Sequence, residues 1–161
     1  MCCTVGPRHV GGDSHTGAPM QVHSLASYIL ELGSLVYDTL RHKRSLLATA
    51  ALLLALGDPG LHQGVATALA VQPEHIREHA HTIVANLRHY IGPHTDVVEV
   101  TVATAELLRL HRLAKAPENR EQFVVAKFAS PRFDYIAEVA HPLASAEEFH
   151  VFMQIYYGST V

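Results

Sequence analysis

Apolar residues recur in steps of three and four along most of the chain, which is the period of an amphipathic helix. Leu25, Tyr28, Ile29, Leu32 and Val36 form the first such stripe, with Ser24 placed to cap it. Gly33 inside that stripe weakens the helix and predicts close packing at its turn or an early end. Ser45 then opens a run through Leu56 that is Leu and Ala nearly throughout, apolar on every side. Such a helix must be enclosed on all faces, so it is the expected hub of the fold. Gly57-Asp58-Pro59-Gly60 ends it with turn residues.

A short helix is predicted over 63–70. Pro73-Glu74 opens a longer one with a stripe of Ile76, Ala80, Ile83, Val84, Leu87 and Ile91, stopped by Gly92-Pro93. Two further helices are expected over 99–113 and, after Pro117, over 118–128, although Val97 to Val102 carries the β-branched residues of a strand. Ser145-Ala146-Glu147-Glu148 is a capping box ahead of Phe149, Phe152, Met153 and Tyr156. The fold class read from this pattern is all-α: about five to six helices around a central apolar helix at residues 45–57. Residues 1–22, rich in Gly and Pro, read as a flexible leader, 23–142 as the helical domain, and 143–161 as a C-terminal helix and tail.

With 48% hydrophobic and 17% charged residues, 161 residues can bury one sizeable core. A net charge of -3 offers no cationic stripe for a phosphate backbone, which argues against nucleic-acid binding. Cys2 and Cys3, the only cysteines, are adjacent and cannot staple distant segments, so a reducing, intracellular setting is expected. The first residues lack the apolar core of a secretory signal, and neither terminus matches a myristoylation or prenylation signal. The run from Leu46 to Leu56 is much shorter than the ~20 residues that span a bilayer, so no membrane segment is expected.

The order of these helices carries a resemblance. Leu25-Ala26-Ser27-Tyr28-Ile29-Leu30-Glu31-Leu32, a spacer with Tyr37-Asp38, and Ser45-Leu46-Leu47-Ala48-Thr49-Ala50-Ala51 through Leu56 resemble the second cyclin box of B-type (mitotic) cyclins. Residues 61–90 resemble the short and long helices that follow in that box. Lys127-Phe128-Ala129-Ser130-Pro131-Arg132-Phe133 and Tyr135-Ile136-Ala137 resemble its close. The resemblance implies a non-enzymatic regulatory subunit, found in nucleus and cytoplasm, that binds and activates a cyclin-dependent protein kinase in cell-cycle control. Nothing in the chain resembles the first cyclin box, which makes most kinase contacts in the family, so the chain reads as a fragment, a truncated form or a divergent relative. The first helix of the second box also has no counterpart in residues 1–22. Arg41-His42-Lys43-Arg44 replaces the proline usual before the central helix, and 92–117 is longer than the family's connection. A box short of one helix is expected to expose an apolar groove on the hub, open to a partner or to self-association.

Thirteen histidines invite a search for metal chemistry. His75-Ile76-Arg77-Glu78-His79 fits His-x-x-Glu-His, in which two imidazoles one turn apart hold zinc and the glutamate activates its water. A third ligand would have to come from Glu147 or Glu148. The alternative function is thus a small zinc-dependent hydrolase, but the scaffold is too small and lacks a sheet, and rim histidines are the preferred reading. His9, His15 and His23 fall in the leader, while His111, His141 and His150 show no ligand pattern and are expected at the surface or its boundary. Arg41-His42-Lys43-Arg44 reads as a solvated turn in preference to an import or nucleic-acid patch. No phosphate-cradling loop and no activated nucleophile is present. The terminal stripe of Phe149, Phe152, Met153, Tyr156 and Tyr157 is read as core cover in preference to a docking helix. No catalytic, cofactor-binding or metal-binding residue is therefore assigned.

Overall fold

The computed structural model describes residues 18–58, 82, 85, 86 and 96–157. Six α-helices are described: α1 (Ala18–Ser34), α2 (Arg44–Leu56), α3 (Val97–Ala114), α4 (Phe123–Phe128), α5 (Ile136–Val139) and α6 (Ala146–Tyr157). Short 3₁₀ turns at Tyr37–Arg41, Pro117–Asn119 and Pro131–Phe133 connect them, and no strand occurs among the described residues. The all-α expectation holds.

α1, α2 and α3 pack against one another, and α4 and α5 close over α1. On α2, Leu46, Thr49, Ala50, Ala51 and every residue from Leu53 to Leu56 are buried, as its apolar circumference requires. Leu25, Tyr28, Ile29 and Leu32 of α1 and Val100, Ala103, Leu107 and Leu108 of α3 complete the inner layer. Gly33 lies at the crossing of α1 and α3: a Cβ there would stand 2.8 Å from Leu107 Cδ2. Close packing therefore explains that glycine, and α1 runs one residue past it.

Several boundaries differ from the sequence pattern. α1 starts at Ala18, with Pro19 in the first turn where a missing N–H costs nothing, so Ser24 sits inside the helix and the expected leader boundary at residue 22 falls within it. Lys43, not Ser45, precedes α2, whose first turn has no side-chain cap. Residues 97–102 are helical despite their β-branching, because Asp96 caps α3 by accepting from Val98 N at 3.1 Å. The helix expected over 118–128 is broken. Asn119 Nδ2 donates to Leu113 O at 2.7 Å, and Gln122 Nε2 donates to Asn119 Oδ1 at 2.8 Å, so these side chains compete with the helical backbone until Phe123.

The capping box forms as read: Glu148 N donates to Ser145 Oγ at 3.0 Å, and the Glu148 carboxylate accepts from Ala144 N at 2.6 Å. Phe152 and Met153 of α6 are buried in the core, which settles the terminal stripe as core cover at those positions. Tyr156 and Tyr157 lie in the last turn of α6.

Candidate protein-contact site

One apolar opening among the described residues lies away from α2. It is a groove of about 570 Å³ between the C-terminal ends of α1 and α3 and the start of α4. Leu32, Leu35 and Val36 form one wall, Leu110 and Leu113 the other, and Phe123 and Val124 close the end. Leu35 is 61% exposed, Leu113 49% and Phe123 80%, so large apolar side chains face water on three sides of one depression. Asn119 and Gln122 stand at its edge. An apolar floor with a polar rim is the anatomy of a protein-contact surface. The broken helix produces it: had residues 118–128 run as one helix, the Asn119–Gln122 turn would not place Phe123 at the groove mouth.

A second feature gives the basic turn a role that its sequence did not reveal. Arg41 forms an ion pair with Glu106 of α3, and His42 Nε2 lies 2.9 Å from the other carboxylate oxygen. The turn is thus anchored to α3 rather than merely solvated. Thr39, buried beside it, lies with its hydroxyl 2.6 Å from Gly33 O and 2.7 Å from Val36 O, which folds the 3₁₀ turn back on the end of α1. Lys43 and Arg44 stay exposed.

Buried polar groups gather where α2, α3 and α5 end. Asp58 is buried, and both of its carboxylate oxygens accept from His141 N, at 3.1 and 3.0 Å. Lys115 Nζ donates to the carbonyls of Ala137 and Glu138, at 2.8 and 3.0 Å, satisfying the open end of α5. Burial pushes the Lys115 ammonium down in pKa, while Asp58 and Glu138 pull it back up. His111 is not at the surface as its sequence context suggested. It is 1% exposed, edge-on to Tyr28 with ring centroids 5.7 Å apart. Its position on the inner face of α3, one turn from Leu107 and Leu108, forces that burial. Burial, with Lys115 nearby, lowers its pKa to about 3, and burial raises the Tyr28 hydroxyl to about 12. Among the described residues, neither Tyr28 Oη nor His111 Nε2 has a hydrogen-bond partner.

His75, Glu78 and His79 lie outside the described residues, as do His9 and His15. Of the remaining candidates, Glu148 is engaged in the α6 capping box. His23, His141 and His150 are exposed, and His150 Nε2 lies 2.9 Å from Gln154 Nε2. Among the described residues no three metal-ligating side chains converge, and no helix is long and apolar enough to cross a membrane. What these residues form is an exposed apolar depression on a helical frame.

Comparison with known proteins leads to the same place. No curated protein and no solved structure matches the chain. Residues 9–142, however, match the family model described as the C-terminal domain of cyclins, which covers α1 through α5. Members of that family are regulatory, non-enzymatic subunits that generally partner cyclin-dependent kinases. The chain belongs to the cyclin family and carries its C-terminal cyclin box.

Proposed function

We propose that this chain is a regulatory subunit that binds a cyclin-dependent protein kinase and raises its activity in cell-cycle control, in the manner of B-type cyclins. The observation that carries the reading is the family match over 9–142, which falls on a helical frame built for packing. The motifs at residues 25–32 and 127–137 support the B-type assignment. Binding is assigned to the groove of Leu35, Leu113 and Phe123, whose exposed apolar side chains give a kinase surface something to bury. On this reading the chain acts in nucleus and cytoplasm and carries out no chemistry itself.

Affinity capture of the tagged chain from lysate of its source cells, with mass spectrometry and a kinase assay on the eluate, tests this. A cyclin-dependent kinase recovered in near-equal amount, with activity above that of the free kinase, is the expected result. Folded chain that brings down no such kinase defeats the reading.

A further inference from the structure

Eight prolines occur in the chain, and Pro131 alone follows a hydroxyl residue. Ser130 stands before it with extended backbone, φ −93° and ψ 158°, as the ring of a following proline demands. Proline-directed kinases read that pair because proline has no N–H to satisfy and its φ is preset. We propose that Ser130 is a phosphorylation site for a proline-directed protein kinase, and that Lys127 and Arg132 hold the resulting phosphate.

The surroundings suit both halves of the proposal. Pro131 and Arg132 are exposed, and Ser130 is half-buried with its hydroxyl donating only to Lys127 O, at 2.6 Å. The next turn is closed by backbone hydrogen bonds on Ser130. Phe133 N and Tyr135 N both donate to Ser130 O, and Asp134 and Tyr135 both adopt left-handed backbone, each with φ 54°. Two successive non-glycine residues in that region store strain. Two cations lie against the neighbouring Phe133 ring. Lys127 Nζ lies 5.5 Å and Arg132 Cζ 5.6 Å from the centroid of Phe133, the residue whose N–H closes the turn on Ser130.

In the reaction the Ser130 hydroxyl oxygen forms a bond to the terminal phosphorus of ATP. The bond from that phosphorus to its bridging oxygen breaks, ADP leaves, and the hydroxyl proton passes to a base of the kinase. The new group carries roughly −1.5 to −2 charge at neutral pH. It competes with Glu31 for Lys127, which now bonds Glu31 Oε1 at 2.5 Å and ties α4 to α1. The site does not require that the chain itself bind a kinase as a subunit.

The test incubates the folded full chain with ATP and a purified mitogen-activated protein kinase, alongside a peptide covering residues 124–137. Mass spectrometry should find phosphate on Ser130 of the folded chain, at least tenfold less on Ser130 of Pro131→Ala, and none at that position in Ser130→Ala. Phosphate on the peptide but not on the folded chain, on neither, or equally on Pro131→Ala overturns the site. Phosphorus NMR then tests the cradle. The second ionisation of the phosphate should fall at least half a pH unit below its value in the peptide, and most of that shift should vanish in Arg132→Ala. Equal values in chain and peptide overturn the pairing.

Discussion

The ring of Phe152 fills the space that a side chain on Gly57 would need. A Cβ at Gly57 would stand 2.0 Å from Phe152 Cε2, so α6 docks onto the end of α2 through the one residue that has none. Gly57 itself has φ −92°, which any residue adopts, so its requirement is space and not conformation. Gly57→Ala is expected to destabilise by about 2–3 kcal/mol through overpacking. In a Phe152→Ala background the same change should cost under ~1 kcal/mol, because the clash has gone. Urea unfolding of the four proteins measures this coupling, and strict additivity would refute it.

Leu53 is fully buried where α2 meets its neighbours. Leu53→Asp places an unpaired carboxylate there and should cost at least ~3 kcal/mol. An unchanged melting curve would remove α2 from the centre of the core.

Acid should weaken the fold through His111. Its pKa is about 3 in the folded chain, against the ordinary 6.5. Between those values the unfolded chain binds a proton that the folded chain refuses, so stability falls as pH falls. Above 6.5 both states are neutral at this residue and it contributes no pH dependence. From pH 7 to pH 5 the loss from this one group is about 2 kcal/mol. His111→Leu should remove that part of the slope, which denaturant titrations at the two pH values would reveal as a smaller difference than in the parent protein.

On the proposed reading the groove serves recognition without supporting the fold. Phe123 is so exposed that Phe123→Ser should change stability by no more than ~0.5 kcal/mol. Combined with Leu113→Ser, it should lower recovery of the kinase at least fivefold. Light scattering across a concentration series distinguishes self-association: growth in mass that the double variant abolishes would assign the groove to a second copy of the chain.

Residue periodicity carried most of the described architecture, while the helices read over 63–70 and from Pro73 to Ile91 lie outside the described residues. The stripe at Leu25, Tyr28, Ile29 and Leu32 and the apolar run into Leu56 lie buried where the pattern put them. The reason is that a 3.6-residue period is a local property, set by which side chains must leave water. Boundaries were less legible because caps compete. Asp96 overrode the β-branched residues after it, and Asn119 interrupted the helix that Pro117 was expected to open. Least legible were pairings between segments. Nothing near Arg41 or His42 in sequence announces Glu106, and nothing beside His111 marks it as a core residue except its register with Leu107 and Leu108. The groove, too, arises from the junction of three elements and belongs to no one segment.

Asp58 grips the His141 N–H across 83 residues of sequence. Closing so long a loop precedes any reward from the contact, whereas α1 and α2 are near neighbours along the chain and can meet early. The grip is therefore expected to form late, after the transition state. Asp58→Asn should leave the refolding rate nearly unchanged and speed unfolding instead, as both arms of a stopped-flow chevron would show. On that expectation the bond between Asp58 and His141 sets how long the native state lasts once formed, and not how quickly it is found.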